Sequence, residues 1–165
     1  MSIEDLESIA LAMVAPGKGI IAIDESTNTI KKRFEAVGIE NTEENRRAYR
    51  ELLLTAPNLS EHISGAILYD ETIRQSTKDG VPFTQVMKKN GIIPGIKVDK
   101  GPVPLAGFPG DVVTEGLDGL RERLAEYAKL GAQFAKWRAV INISEDNPSS
   151  TAIEANCHAL ARYAA

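Results

Sequence analysis

Short apolar runs alternate with helical patterns along the whole chain, and this alternation limits the fold more than any other feature. The runs are Ile20-Ile-Ala-Ile23, Ile63-Ser-Gly-Ala-Ile-Leu-Tyr69, Ile92 to Val98 and Phe134 to Ile143. Their length and branched residues suit buried strands. Helical spacing spans Ile3 to Val14, Thr29 to Val37, Glu43 to Thr55, Pro82 to Lys89 and Leu117 to Leu130, and a last helix opens at Pro148 and still runs at Ala165. Thr42 is placed to cap the helix at Glu43, with Asn45 where a capping box would have Glu or Gln. Pro94 weakens the first half of the third strand, because a proline cannot donate to a ladder. Strands alternating with helices imply an α/β protein with a parallel sheet and right-handed crossovers. An open doubly wound sheet and part of a (β/α)8 barrel both satisfy this. A barrel typically takes about 250 residues, and four strand–helix units after an N-terminal helix have used 165 here. The expectation is one domain over residues 1–165, half of a barrel ending at a helix.

Composition removes several classes of function. The net charge is −4 with acidic and basic residues interspersed, so no basic stripe for nucleic acid is expected. A small anion needs only a few local cations and stays open. A single cysteine, Cys157, excludes an intrachain disulfide and fits a reducing compartment. No apolar run reaches the roughly 20 residues of a membrane span. The acidic start lacks the basic region of a signal peptide, so a cytoplasmic location is expected. Gly17-Lys-Gly19 is not a Walker loop, and no dinucleotide fingerprint is present. His62 and His158 do not stand at metal-ligand spacing and are expected to be structural or exposed. Cys157 is expected to be packed within its helix, and Trp137 to sit in the core or between strand and helix.

The ionisable residues on the strands carry the functional signal. Alternation places Lys136 and Arg138 on one face of the fourth strand with Phe134, and Lys97 and Asp99 on one face of the third. The first strand ends in Asp24-Glu-Ser26-Thr27-Asn-Thr29. Each cluster has a plain structural account: cations snorkelling to water, a surface Lys–Asp pair worth under about 1 kcal/mol, and helix capping. Together they put charge in or beyond the C-terminal halves of three strands, where parallel architectures place active sites. Lys97, Lys136 and Arg138 with the hydroxyls of Ser26 and Thr29 suit an anionic ligand such as a sugar phosphate.

At these residues the chain resembles the class I (Schiff-base) fructose-bisphosphate aldolases. The resemblance is carried by Gly19-Ile-Ile-Ala-Ile-Asp24-Glu-Ser26-Thr27, Glu40-Asn-Thr-Glu-Glu-Asn-Arg-Arg47, Gly95-Ile-Lys-Val-Asp-Lys-Gly101 and Phe134-Ala-Lys-Trp-Arg138, in order along nearly the whole sequence. It implies a (β/α)8 barrel, here its first four units and the N-terminal helix. It also implies reversible cleavage of fructose 1,6-bisphosphate in glycolysis and gluconeogenesis, and no metal or other cofactor, because a lysine amine forms a Schiff base with the ketone. By the same resemblance Asp24 sits beside the Schiff-base centre and handles protons, while Lys136 stabilises charge developing on oxygen. Lys97, Arg138, Ser26 and Thr29 hold a phosphate, with Arg33 close by. Thr29 stands where the family has a serine and keeps the hydroxyl. The Schiff-base lysine belongs to the family's sixth strand, beyond residue 165, so this segment alone is expected to be inactive. The full-length protein is expected to be a homotetramer. A non-catalytic half-barrel with residual phosphate binding, alone or paired with a second copy, and a different lysine-using barrel enzyme are the alternatives.

Overall fold

The structure, a computed structural model, describes residues 3–165. The expected alternation is present: α1 (Ile3–Met13), β1 (Gly19–Ile23), α2 (Thr27–Glu35), α3 (Glu43–Leu54), α4 (Leu59–His62), β2 (Ile63–Leu68), α5 (Asp70–Ile73), α6 (Phe83–Lys89), β3 (Ile93–Lys97), β4 (Gly101–Pro104), β5 (Val112–Glu115), α7 (Leu120–Leu130), β6 (Phe134–Lys136) and α8 (Ser150–Ala164). The described residues divide into two units, the first reaching Lys97 and adding Glu126–Ala135, the second formed by Val98–Ala125 and Lys136–Ala165.

The first unit is built on a sheet in the order β1-β2-β3-β6, with β1, β2 and β3 parallel. Register puts Ile23, Leu68 and Ile96 side by side, and Ile21, Ala66 and Pro94 side by side one pleat earlier. Ile23, Ala66, Leu68 and Ile96 are buried, as are Ile30 and Phe34 of α2, Leu54 of α3, and Phe83 and Met87 of α6. Full burial of each large apolar side chain contributes roughly 1.5–3 kcal/mol relative to exposure, so this face supplies the core. Pro94 donates nothing to the ladder, but its carbonyl accepts from Gln133 N at 2.8 Å and the Cα register to Ala66 is kept.

The opposite face carries Ile20, Gly65 and Ile93, then Ala22, Ile67 and Gly95. The Phe134 ring occupies the space that side chains at the two glycines would need. A Cβ at Gly95 would lie 2.2 Å from Phe134 Cζ, and one at Gly65 3.3 Å from Cε1. Sheet and ring are therefore fitted to the missing methyl groups. No residue of α1 is fully buried; of its apolar stripe Ile9 and Met13 are half-buried and Ile3 and Leu6 exposed.

The second unit departs from the expectation of a loop. The Gly/Pro-rich stretch after β3 begins as a strand, β4, that pairs antiparallel with β5, Gly101 opposite Glu115 and Pro104 opposite Val112. Both strands are edges, where prolines lacking an N–H are permitted. Packed on β5 is α8, capped by Ser149 Oγ accepting from Ala152 N at 3.2 Å. Asn156, 2% exposed, donates to Val112 O at 2.9 Å and accepts from Thr114 N at 3.1 Å, completing the edge of β5.

The fourth expected strand is much shorter than its apolar run. Only Phe134–Lys136 is extended in the sheet; beyond it Val140 N donates to Thr114 Oγ1 at 3.2 Å and Asn142 Nδ2 to Gly110 O at 2.6 Å. Side-chain partners have taken backbone and amide groups that a ladder would otherwise engage. Likewise β3 ends at Lys97, and Asp99 lies in the turn after it. Among the described residues no helix is long and apolar enough to cross a membrane.

Candidate functional site

In the first unit the site residues gather at the carboxyl ends of parallel strands. Asp24 follows β1 directly and is 9% exposed. Continuing the strand alternation by one residue puts Asp24 on the face of Ala22, and Lys97, the last residue of β3, is on the matching face of Gly95. The two therefore project from one face at one edge, on strands separated by β2. Lys97 is half-buried.

The elbow from β1 to α2 is held locally by Ser26, the α2 N-cap. Its hydroxyl lies 3.1 Å from Thr29 Oγ1 and accepts from Thr29 N at 3.4 Å. Ser26 thus does the capping that its residue type suggests. Its hydroxyl and that of Thr29 also stand together at the start of a helix, where N–H donors and the helix dipole favour an anion. Arg33, one turn further, pairs with the Glu25 carboxylate, which raises the guanidinium above its ordinary range, with the Tyr49 hydroxyl 3.4 Å away. Asp24, Ser26, Thr29, Arg33 and Lys97 are therefore all in the first unit.

Two further residues of this elbow escape a reading of the sequence: Glu25 and Arg50. Arg50 is 1% exposed. Its Nε donates to Ile23 O at 3.0 Å and its Nη2 to Glu25 O at 2.8 Å, with Glu25 Oε2 at 3.4 Å. Burial lowers its pKa, partly offset by the charge of Glu25. The one available signal was helical spacing: Arg50 is four residues before the buried Leu54 on the same face of α3. An arginine in that stripe reads as solvent-facing, because arginine is almost never fully buried unless paired.

The remaining site residues, Lys136 and Arg138, lie in the second unit. Lys136 is half-buried, and its carbonyl accepts from Val98 N at 3.0 Å. Arg138 has an exposed side chain, and its backbone N donates to Asp99 Oδ2 at 3.0 Å. The other Asp99 oxygen accepts from Gly101 N at 3.1 Å. Asp99, 8% exposed, is thus a bracket joining the turn after β3 to the segment after β6, which a surface Lys–Asp pair would not be. Arg123 of α7 completes the bracket, donating to Val98 O at 2.9 Å and to Gly116 O. Gly116, at φ +135°, has no room for a side chain, since a Cβ there would meet Lys100 N at 3.0 Å and Trp137 at 3.2 Å. Trp137 packs on Tyr163 of α8 with ring centroids 5.4 Å apart, the second of the two expected placements, between strand and helix. Burial raises the Tyr163 phenol, helped by the charge of Asp99.

His62 and His158 are exposed, and among the described residues no group of three or more His, Cys, Asp or Glu is arranged to hold a metal ion. Cys157 corrects the expectation of a packed thiol: it is exposed, because α8 buries the face of Ala152, Asn156 and Ala159 and position 157 turns away from it.

The family model described as fructose-bisphosphate aldolase class-I matches residues 5–165. The chain is 78% identical over 165 residues to the probable fructose-bisphosphate aldolase class 1 of Xanthomonas campestris pv. campestris, covering 100% of this chain and 49% of that protein. It is 56% identical over 162 residues to the fructose-bisphosphate aldolase of Echinococcus multilocularis, 98% of this chain and 45% of that one. Among solved structures, the fructose-bisphosphate aldolase of Plasmodium falciparum, in a ternary complex with TRAP and a small-molecule inhibitor, matches with a TM-score of 0.95 at 49% identity. That match covers 98% of this chain and 47% of that one. The chain spans about half the length of the curated relatives it matches.

Proposed function

Because this chain belongs to the class I fructose-bisphosphate aldolase family and has the α/β architecture of part of its (β/α)8 barrel, we propose that the protein carrying it cleaves fructose 1,6-bisphosphate reversibly. The products are dihydroxyacetone phosphate and glyceraldehyde 3-phosphate. The observation that carries the reading is the 78% identity along all 165 residues. The common face of Asp24 and Lys97 at the carboxyl edge of the sheet supports it.

The chemistry is covalent. An unprotonated lysine amine adds to the ketone carbon, and the carbinolamine hydroxyl takes up a proton and leaves as water, giving a protonated imine. The bond between C3 and C4 then breaks, its electron pair moves toward the imine, and the C4 hydroxyl gives up a proton as it becomes the aldehyde. Proton return to C3 and hydrolysis release the second product and restore the amine. That lysine belongs to a sixth strand, beyond residue 165. Asp24 lies beside the imine and handles protons. Lys136 stabilises charge growing on oxygen in a water-poor site, and as a like charge it favours the neutral form of the reactive amine. Lys97 and Arg138 hold the phosphate at the aldehyde end, the lysine as a point charge and the arginine through its planar fork. Ser26 and Thr29 add hydroxyls and the start of α2, and Arg33 stands near the same phosphate. The full-length protein assembles as a homotetramer, which sedimentation velocity would read.

The test is reductive trapping. The full-length gene product, mixed with dihydroxyacetone phosphate and borohydride, is expected to gain one covalent adduct on a single lysine and to cleave the bisphosphate with chelator present. No adduct and no cleavage would leave only family membership.

A further inference from the structure

We propose that Arg50 is a positioning residue: it sets the elbow that carries Asp24 and, through Glu25, the placement of Arg33. The inference rests on the aldolase reading for its catalytic consequence but not for its geometry. Arg50 grips the chain on both sides of Asp24, with Nε on the carbonyl of Ile23 and Nη2 on the carbonyl of Glu25. A planar fork with its donors on two carbonyls that flank one residue restrains the backbone torsions of that residue. The same Nη2 faces Glu25 Oε2 at 3.4 Å, and Glu25 Oε1 holds Arg33. One buried guanidinium is therefore coupled to the candidate proton-handling carboxylate and to a candidate phosphate ligand.

Packing alone does not call for an arginine here. The side chain is 1% exposed and lies over the Tyr49 ring, 5.6 Å from its centroid. Nη1 is buried without a hydrogen-bond partner among the described residues. Buried charge is costly, and apolar residues of similar volume often serve stability as well or better. The arginine is explained by the carbonyls it holds. Arg46, one turn earlier on α3, makes a suitable control. It is bidentate to Glu71 at 2.6 and 2.8 Å and donates to Asn41 O at 3.0 Å; it holds no carbonyl of the elbow.

The experiment compares Arg50→Met, Arg50→Lys and Arg46→Met in the full-length gene product. Two readouts are taken: steady-state cleavage of fructose 1,6-bisphosphate, and amide hydrogen exchange. Both Arg50 variants are expected to lower kcat about tenfold or more, with a smaller rise in KM, because a misplacement of about 1 Å suffices for such losses. Arg46→Met should lower the melting temperature while kcat stays within about twofold of the unaltered protein. Amides of residues 25–30 should exchange about tenfold faster or more in the Arg50 variants and not in Arg46→Met, as local opening would give. If Arg50→Met does not fold, Arg50→Lys decides, since lysine keeps the charge but lacks the rigid planar fork whose separate donors span the two carbonyls. An Arg50→Lys protein with unchanged kcat and unchanged exchange overturns the proposal. If the unaltered protein does not cleave the bisphosphate, the aldolase reading fails, and the exchange data still decide whether Arg50 sets the elbow.

Discussion

Two aspartates follow two strands, Asp24 after β1 and Asp99 after β3, and their surroundings are built in opposite ways. In the first unit the backbone around the aspartate is held from outside, by the Arg50 guanidinium on the carbonyls to either side. In the second the aspartate itself is the holder, its two oxygens receiving the N–H groups of Gly101 and Arg138. A strand-terminal aspartate can thus be what a turn presents or what binds the turn together. Residue type does not separate the two; the direction of the backbone hydrogen bonds does. The hydrogen bonds of Asp99 assign it to architecture.

The strongest way to disturb this contrast is to spoil the sheet face that leads to Asp24 and Lys97. Gly95→Ala places a methyl 2.2 Å from the Phe134 ring, and the overpacking should cost about 3 kcal/mol or more, read as a shift in the denaturant midpoint. Gly65→Ala, whose nearest contacts are 3.2 and 3.3 Å, should cost less. Equal losses at the two glycines would show that the ring does not discriminate between them.

Next comes the second bracket. Asp99→Asn keeps one acceptor and turns an N–H2 donor toward a backbone N–H, so a loss of about 1–3 kcal/mol is expected. Cleavage by the full-length protein should fall too, through the displaced Arg138, and added phosphate should protect the variant less. An Asp99→Asn protein as stable as the original would show that these two hydrogen bonds do not hold the turn.

The caps sharpen the comparison at a smaller scale. Ser149→Ala and Ser26→Ala should each cost about 1 kcal/mol of stability, since both hydroxyls accept from a first-turn N–H. Only Ser26→Ala should also raise KM for the bisphosphate. A KM effect from Ser149→Ala, or none from Ser26→Ala, would argue against the phosphate role of the first unit's elbow.

The smallest expected effects are those of pH. Hydrogen bonds from Ser149, with help from Asn147, hold the Asp111 carboxyl below its usual range. Its stabilising contribution is therefore present above about pH 4 and is lost as pH falls through the folded value; Asp111→Asn should flatten the acid limb of a stability–pH profile. Tyr163 has the opposite sign. Burial raises its phenol, so its contribution is full below about pH 10 and is lost as pH rises toward the folded value. Tyr163→Phe should flatten the alkaline limb.

Much of this was legible from the residues alone. Among the described residues, periodicity found the six longer helices and the starts of the four strands of the main sheet but not the one-turn α4 and α5, and the Thr42 cap is formed, with its Oγ1 accepting from Asn45 N at 3.1 Å. The places where reading stopped share a cause: partners distant in sequence. Apolar Val140 and Ile141 continue a strand pattern, but Thr114 claims the Val140 N–H from 26 residues away. The hairpin of β4 and β5 hides behind glycines and prolines because an isolated pair of edge strands tolerates them. Arg50 hides behind the habit of reading arginine as surface. At the site, Asp24, Ser26, Thr29 and Lys97 could be placed at strand ends and a helix start from spacing, whereas Glu25, Arg50 and Arg123 act through carbonyls that no spacing displays.

The fit of the Phe134 ring to Gly65 and Gly95 also constrains history. A methyl at position 95 is admissible only after the ring at 134 has shrunk, whereas a smaller residue at 134 is open at any time, at the cost of a void. The route through sequence space is thus a ratchet with a preferred order of steps. Lineages that have taken the first step can explore side chains on the very face that leads to Asp24 and Lys97.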